Sequence, residues 1–142
     1  MTPKVVVDTS VIIKLLNTDN ELNIEQARAI LDEALDGNIE LLAPEVAKYE
    51  VGNGLLKGKR LRVAEAKVAL GAAYSLPIEF VVETQESAMG TYEYALKYGL
   101  TYYDASFVFL ASYFGATLVT DNVKHQGKVR SVKVVDLKDY KG

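Results

Sequence analysis

The sequence predicts an α/β fold, a three-layer α/β/α sandwich around a mostly parallel sheet. Short β-branched runs alternate with helical stretches along the chain, and no hairpin signal joins two runs directly. The first run, Lys4-Val5-Val6-Val7, is apolar at successive positions instead of alternate ones. Such a strand is buried on both faces, as parallel strands between helix layers are.

This first strand stops at Asp8, and the helical Val11-Ile12-Ile13-Lys14-Leu15-Leu16 follows at once. Asp8 therefore falls at the carboxyl end of a central strand, where open α/β sheets place ligands. After a polar loop from Asn17 to Leu22, Asn23 and Gln26 have capping-box spacing. The helix they open carries Ala27, Ile30, Leu31, Ala34 and Leu35, and Gly37 closes it. Ile39 to Ala43 reads as the second strand, and Pro44 suits the first turn of a helix from Glu45 to about Leu56. Val46, Tyr49, Asn53 and Leu56 are expected on its inward stripe, with Glu50 on the same side. An inward carboxylate needs a partner; a salt bridge to a neighbouring lysine is the simplest one.

A basic corner, Lys57, Lys59, Arg60 and Arg62, leads to a helix from about Val63 to Ser75. Pro77 stops it and Ile78 to Val82 forms the third strand; Thr84 caps a helix reaching Lys97 or Tyr98, with Gly99 after it. Thr101 and Asp104 then open the most apolar helix, through Ala105, Phe107, Val108, Leu110 and Phe114, which is expected to be buried nearly all round. Asp104 by itself reads as the acid of that helix's first turn. Gly115 ends the helix, Ala116 to Thr120 forms the fourth strand, and Asp121 terminates it as Asp8 terminates the first. Val123 to Arg130 is a basic loop or turn before a last strand, Val132 to Asp136.

With 142 residues the chain is expected to form one domain, 1–142, with a substantial core. A net charge of −3 gives no general attraction to nucleic acid, so any such contact must come from local patches. The absence of cysteine excludes disulfides, thiolate metal sites and a thiol nucleophile. His125 is the single histidine, so a metal here would take oxygen ligands, favouring Mg²⁺, Mn²⁺ or Ca²⁺. No apolar run has transmembrane length, and the first strand begins too near Met1 for a signal peptide. The expectation is a cytoplasmic protein with no membrane partner.

Asp8, Glu50, Asp104 and Asp121 each have an ordinary structural explanation, but their joint placement suits one oxygen-lined pocket. Clustered carboxylates repel one another unless a proton or cation intervenes, and a hard divalent cation there would support phosphodiester hydrolysis. Four segments carry a resemblance: Val5-Val6-Val7-Asp8-Thr9-Ser10, Ala43-Pro44-Glu45 through Glu50 and Asn53, Tyr102-Tyr103-Asp104-Ala105, and Leu118-Val119-Thr120-Asp121. In order, they resemble the motifs of PIN-domain nucleases, most closely the VapC toxins of VapBC toxin–antitoxin systems.

The resemblance implies a sheet of order 3-2-1-4-5 and Mg²⁺- or Mn²⁺-dependent endoribonuclease activity. It makes Asp8, Glu50, Asp104 and Asp121 the catalytic and metal-holding acids, with Ser10, Asn53 and Thr120 in support. It also implies a homodimer and a small VapB-like antitoxin, which should bring a basic side chain to the acidic pocket. After Asp121 the segment Asn122-Val123-Lys124-His125-Gln126-Gly127 departs from the usual helical continuation. Possible contacts to an RNA backbone are Lys57, Lys59, Arg60, Arg62, Lys124, Lys128 and Arg130, unless these clusters are simply solvated faces. The tyrosines at 92, 94, 98, 102 and 103 suit core or dimer contact better than base stacking. Ser10 stands where haloacid-dehalogenase-like phosphatases need a second acid. The alternative from another class is a catalytically weak PIN-fold module for RNA binding or protein interaction.

Overall fold

The computed structural model describes residues 1–141. In chain order the elements are β1 (Lys4–Val7), α1 (Thr9–Leu16), α2 (Ile24–Leu35), β2 (Glu40–Pro44) and α3 (Val46–Asn53). They continue with α4 (Val63–Ser75), β3 (Ile78–Val81), α5 (Gln85–Tyr98), α6 (Tyr102–Phe114), β4 (Thr117–Thr120), α7 (Val123–Gln126) and β5 (Val134–Asp136). A π-helical turn, Gly54–Gly58, prolongs α3, and a 3₁₀ turn, Leu137–Asp139, follows β5.

The strands pair in the order β3-β2-β1-β4-β5, every pair parallel. This is the sheet that the sequence reading expected. Val5 of β1 pairs with Leu41 on one side and Thr117 on the other. Val5, Val6 and Val7 are all buried. Because successive strand side chains point to opposite faces, their common burial shows that both faces of β1 are covered. α6 packs on β1 and β2 with α5 against it, while α1 touches β4 and gathers α2, α3 and α4. The core runs through Val6, Ile12, Ile30, Leu55, Phe107 and Leu118, all essentially sealed from solvent. Burial of each such side chain contributes roughly 1.5–3 kcal/mol before entropy is charged against it.

Several local expectations are corrected. Tyr49 and Leu56 are 77% and 63% exposed instead of inward. The buried stripe of α3 and its extension is Ala47, Val51 and Leu55, an i, i+4, i+8 row. The face bearing Val46, Glu50 and Asn53 is set beside it and lines a cleft. Asn23 makes no side-chain cap; it sits in the left-handed region at φ 59°, where asparagine is tolerated, and simply turns the chain into α2. Pro44 ends β2, paired with Val81, instead of opening the helix. The expected basic loop after Asp121 contains the short α7, and β5 starts at Val134, not Val132. α6 is not buried all round: Tyr103 and Tyr113 are exposed.

Thr84 and Thr101 cap α5 and α6 by accepting from the Ser87 and Asp104 N–H groups. Gly99 and Gly115 end these helices at φ 63° and 60°, the left-handed closure that glycine adopts without strain. Between the two helices Gly90 lies under the Phe109 ring, where a Cβ would overlap three ring carbons. Gly90→Ala should therefore lower stability by about 1–3 kcal/mol, the usual range for overpacking, despite alanine's better helix propensity. Urea denaturation checks this; an unchanged or higher midpoint would mean that the α5–α6 seam has room to spare.

Candidate active site

The chain moves outward from β1 through β2 to β3, then returns to build β4 and β5 on the other side of β1. The carboxyl ends of β1 and β4 flank the resulting switch point, where such sheets form their binding crevices. Asp8 follows β1 there, its N–H donating to the Val119 carbonyl at 3.0 Å. It is the N-cap of α1: Oδ2 accepts from the Ser10 N–H at 3.2 Å and the Ser10 hydroxyl at 2.7 Å. Oδ1 faces the Gln126 Nε2 at 3.4 Å. Gln126 is fully buried, and its own Oε1 has no hydrogen-bond partner.

Glu50 projects from α3 toward Asp8, its Oε1 accepting from the Thr9 hydroxyl at 2.7 Å. Asp104 enters from the first turn of α6, placed by the Thr101 cap. Asp8, Glu50, Asp104 and Asn53 line one open cleft of about 600 Å³, with Tyr49 and Tyr103 at its sides. Burial raises the pKa of Glu50, and the charges of Asp8 and Asp104 raise it further, against the Thr9 hydrogen bond. Burial likewise raises Asp104, helped by Asp8 and opposed by His125 and the Thr101 hydroxyl. These groups are thus close enough to disfavour one another's ionisation.

Asp121 belongs to the same neighbourhood but its carboxylate faces elsewhere. Its N–H donates to the Ser10 hydroxyl at 3.3 Å, whereas Oδ2 lies 2.8 Å from the Lys14 ammonium. Lys14 is only 4% exposed and also contacts Glu21 at 2.7 Å; Glu21 in turn holds Lys59 at 2.5 Å. Burial alone would lower the Lys14 pKa, but the bonds to Asp121 and Glu21 outweigh it and the net shift is upward. For Glu21, burial is outweighed in the same way and the net shift is downward. The sequence reading missed both residues. A lysine inside the apolar run Val11 to Leu16 was the available signal, since a lysine on a buried face must find counter-charge.

Of the supporting residues, Ser10 touches Asp8 and Asp121 together, and Asn53 lines the cleft. Thr120 is buried and accepts from the Asn122 N–H at 2.8 Å, fixing the turn behind Asp121. Lys57, Arg60, Arg62, Lys124, Lys128 and Arg130 are exposed, whereas Lys59 is committed to Glu21.

Among the described residues, no three acids stand near enough to enclose a metal ion as placed. The donor set nevertheless fits a hard divalent cation. It consists of oxygens only, and the Asp8 charge bears on both Glu50 and Asp104 across the cleft.

Residues 5–129 match the PIN domain family, which is most of the chain. The chain belongs to that family. The PIN domain is a nuclease class, so the chain is a nuclease by family, and its fold is that of VapC toxins. The PIN domain here is similar to PAE2754 from Pyrobaculum aerophilum, with 27% identity, a TM-score of 0.68, and 97% and 92% of the two chains covered. VapBC2 from Rickettsia felis, solved on a promoter DNA fragment, aligns at 17% identity and TM-score 0.71, covering 94% and 98%. The sarcin-ricin-loop-cleaving toxin VapC20 of Mycobacterium tuberculosis aligns at 15% identity and TM-score 0.63, covering 80% and 86%. No curated protein matches the sequence. Among the described residues, no helix of this PIN domain is long and apolar enough to cross a membrane.

Proposed function

We propose that this PIN domain is an Mg²⁺- or Mn²⁺-dependent endoribonuclease that acts in the cytoplasm as the toxin of a toxin–antitoxin pair. The observation that carries the proposal is the meeting of Asp8, Glu50 and Asp104 around one open cleft at the switch point. These three acids would hold the cation. When bound, a divalent ion supplies Lewis-acid activation of water and neutralises charge on the phosphoryl oxygens. Ser10 and Gln126 fix the two oxygens of Asp8, and Thr9 fixes Glu50, so the acids are oriented before substrate arrives. Lys57, Arg60 and Arg62, with Lys124, Lys128 and Arg130, supply exposed positive charge for the RNA backbone.

Toxin–antitoxin complexes from Rickettsia felis and Klebsiella pneumoniae share this fold, which supports a small VapB-like antitoxin as partner. An arginine from it would match the carboxylates of the cleft. Met89, Tyr92, Leu96 and Tyr113 remain exposed on α5 and α6, and covering them supports a homodimer. The test is cleavage of structured RNA by the purified chain. Activity is expected with Mg²⁺ or Mn²⁺, is abolished by EDTA and returns with excess metal; equal rates with and without chelator would overturn the proposal.

A further inference from the structure

Lys14 lies on the buried face of α1 with Val11 and Ile12, yet carries an ammonium. It stands between Glu21 of the loop after α1 and Asp121 at the end of β4, at 2.7 and 2.8 Å. Lys59 closes the group from beyond the π-helical turn, bonded to Glu21 and to the Asp19 carbonyl. Two ammonium groups and two carboxylates thus balance, with Lys14 and Lys59 both largely hidden from water. An ammonium in such a place cannot lose its counter-charges cheaply. Asp121 is also not among the residues lining the cleft of Asp8, Glu50 and Asp104. A divalent ion seated on Asp121 would lie within a few ångströms of the Lys14 ammonium and repel it in a poorly screened setting.

We propose that Lys14 is a resident counter-cation that reserves Asp121, confining divalent metal to the side of Asp8, Glu50 and Asp104. Asp121 is then a positioning residue, acting through its backbone bond to Ser10 and its hold on α1, and not a metal ligand. This inference rests on the metal-dependent reading above. It follows that the site works with a single ion, and that removing the lysine opens a place for another.

Titration calorimetry with Mn²⁺ on the metal-free protein, paired with thermal melts in EDTA, tests it. Wild type should bind a single Mn²⁺, and Asp8→Asn should weaken it by about tenfold or more. Asp121→Asn should leave Mn²⁺ affinity within about threefold while lowering the melting temperature by ~5 °C, because it strands the buried ammonium. Lys14→Met/Asp121→Asn should recover much of that loss, and Lys14→Met should bind additional Mn²⁺. If Lys14→Met does not fold, the double variant decides: it must keep the wild-type stoichiometry. A tenfold loss of Mn²⁺ affinity in Asp121→Asn, or additive melting effects of the two substitutions, overturns this proposal and leaves the metal reading standing. A wild type that binds no Mn²⁺ ends both.

Discussion

Asp8→Asn and Asp104→Asn should each lower RNA cleavage by about two orders of magnitude or more, the scale on which losing one preorganised electrostatic contact costs an active site. Both substitutions keep size, remove one charge and exchange one acceptor oxygen for an NH₂ donor. Asparagine can still cap α1 through the Ser10 N–H, and the Asp104 N–H that donates to the Thr101 cap is left in place. The folded protein should therefore survive while its hold on a cation does not. Initial rates on a structured RNA in Mn²⁺, with circular dichroism on the same samples, separate the two effects. Wild-type rates in either variant would remove that acid from the chemistry.

Glu50→Gln should raise the melting temperature of the metal-free protein at pH 7. Burial, then the charges of Asp8 and Asp104, hold the folded-state pKa of Glu50 above its ordinary value. An acid shifted upward on folding destabilises the native state at every pH above its folded pKa. The penalty shrinks as pH falls through that value and is gone below the ordinary carboxylate range. The advantage of Glu50→Gln should thus be full at pH 7 and fade toward pH 4. Glu21 has the opposite sign, losing stability as pH falls, but it is common to both proteins and cancels in the comparison. Metal should reverse the order, since binding to the native state alone adds ~2.7 kcal/mol at one hundred times the dissociation constant. The variant, short of a ligand, should gain much less. Melts at pH 7 and pH 5, with EDTA and with Mn²⁺, give all four values. A lower EDTA melt for Glu50→Gln at pH 7 would mean that the carboxylate is a structural partner of Thr9 and nothing more.

The acids at strand ends were readable because a carboxylate closing a three-valine run has few reasons to be there. Asp8 and Asp121 announced themselves through β1 and β4, and the capping threonine located Asp104 on its helix. Helical spacing alone puts Tyr49 and Leu56 on the inward stripe beside Glu50, whereas Ala47, Val51 and Leu55 form the buried row. Spacing in a short helix with two neighbouring apolar stripes says little about which of them meets the core. The direction in which the Asp121 carboxylate points was beyond local reasoning. It depends on Lys14, Glu21 and Lys59, which lie far from it in sequence and meet only through the tertiary fold. Gln126 was likewise hidden, because the segment after Asp121 carried too little periodicity to reveal a helix as short as α7.

The strand order has a consequence for how this molecule comes into being during synthesis. β1 leaves the ribosome before the rest of the sheet, yet one of its edges pairs with residues 117–119. Until those residues emerge, the central strand carries an unpaired edge and its valines lack one neighbour. Long-range parallel pairing of this kind is slow and comes late, because the intervening chain must first be gathered in. Asp8 meets Asp104 only when α6 has been made, and Ser10 meets the Asp121 N–H only after β4. A nascent chain that ends before α6 therefore has no assembled cleft.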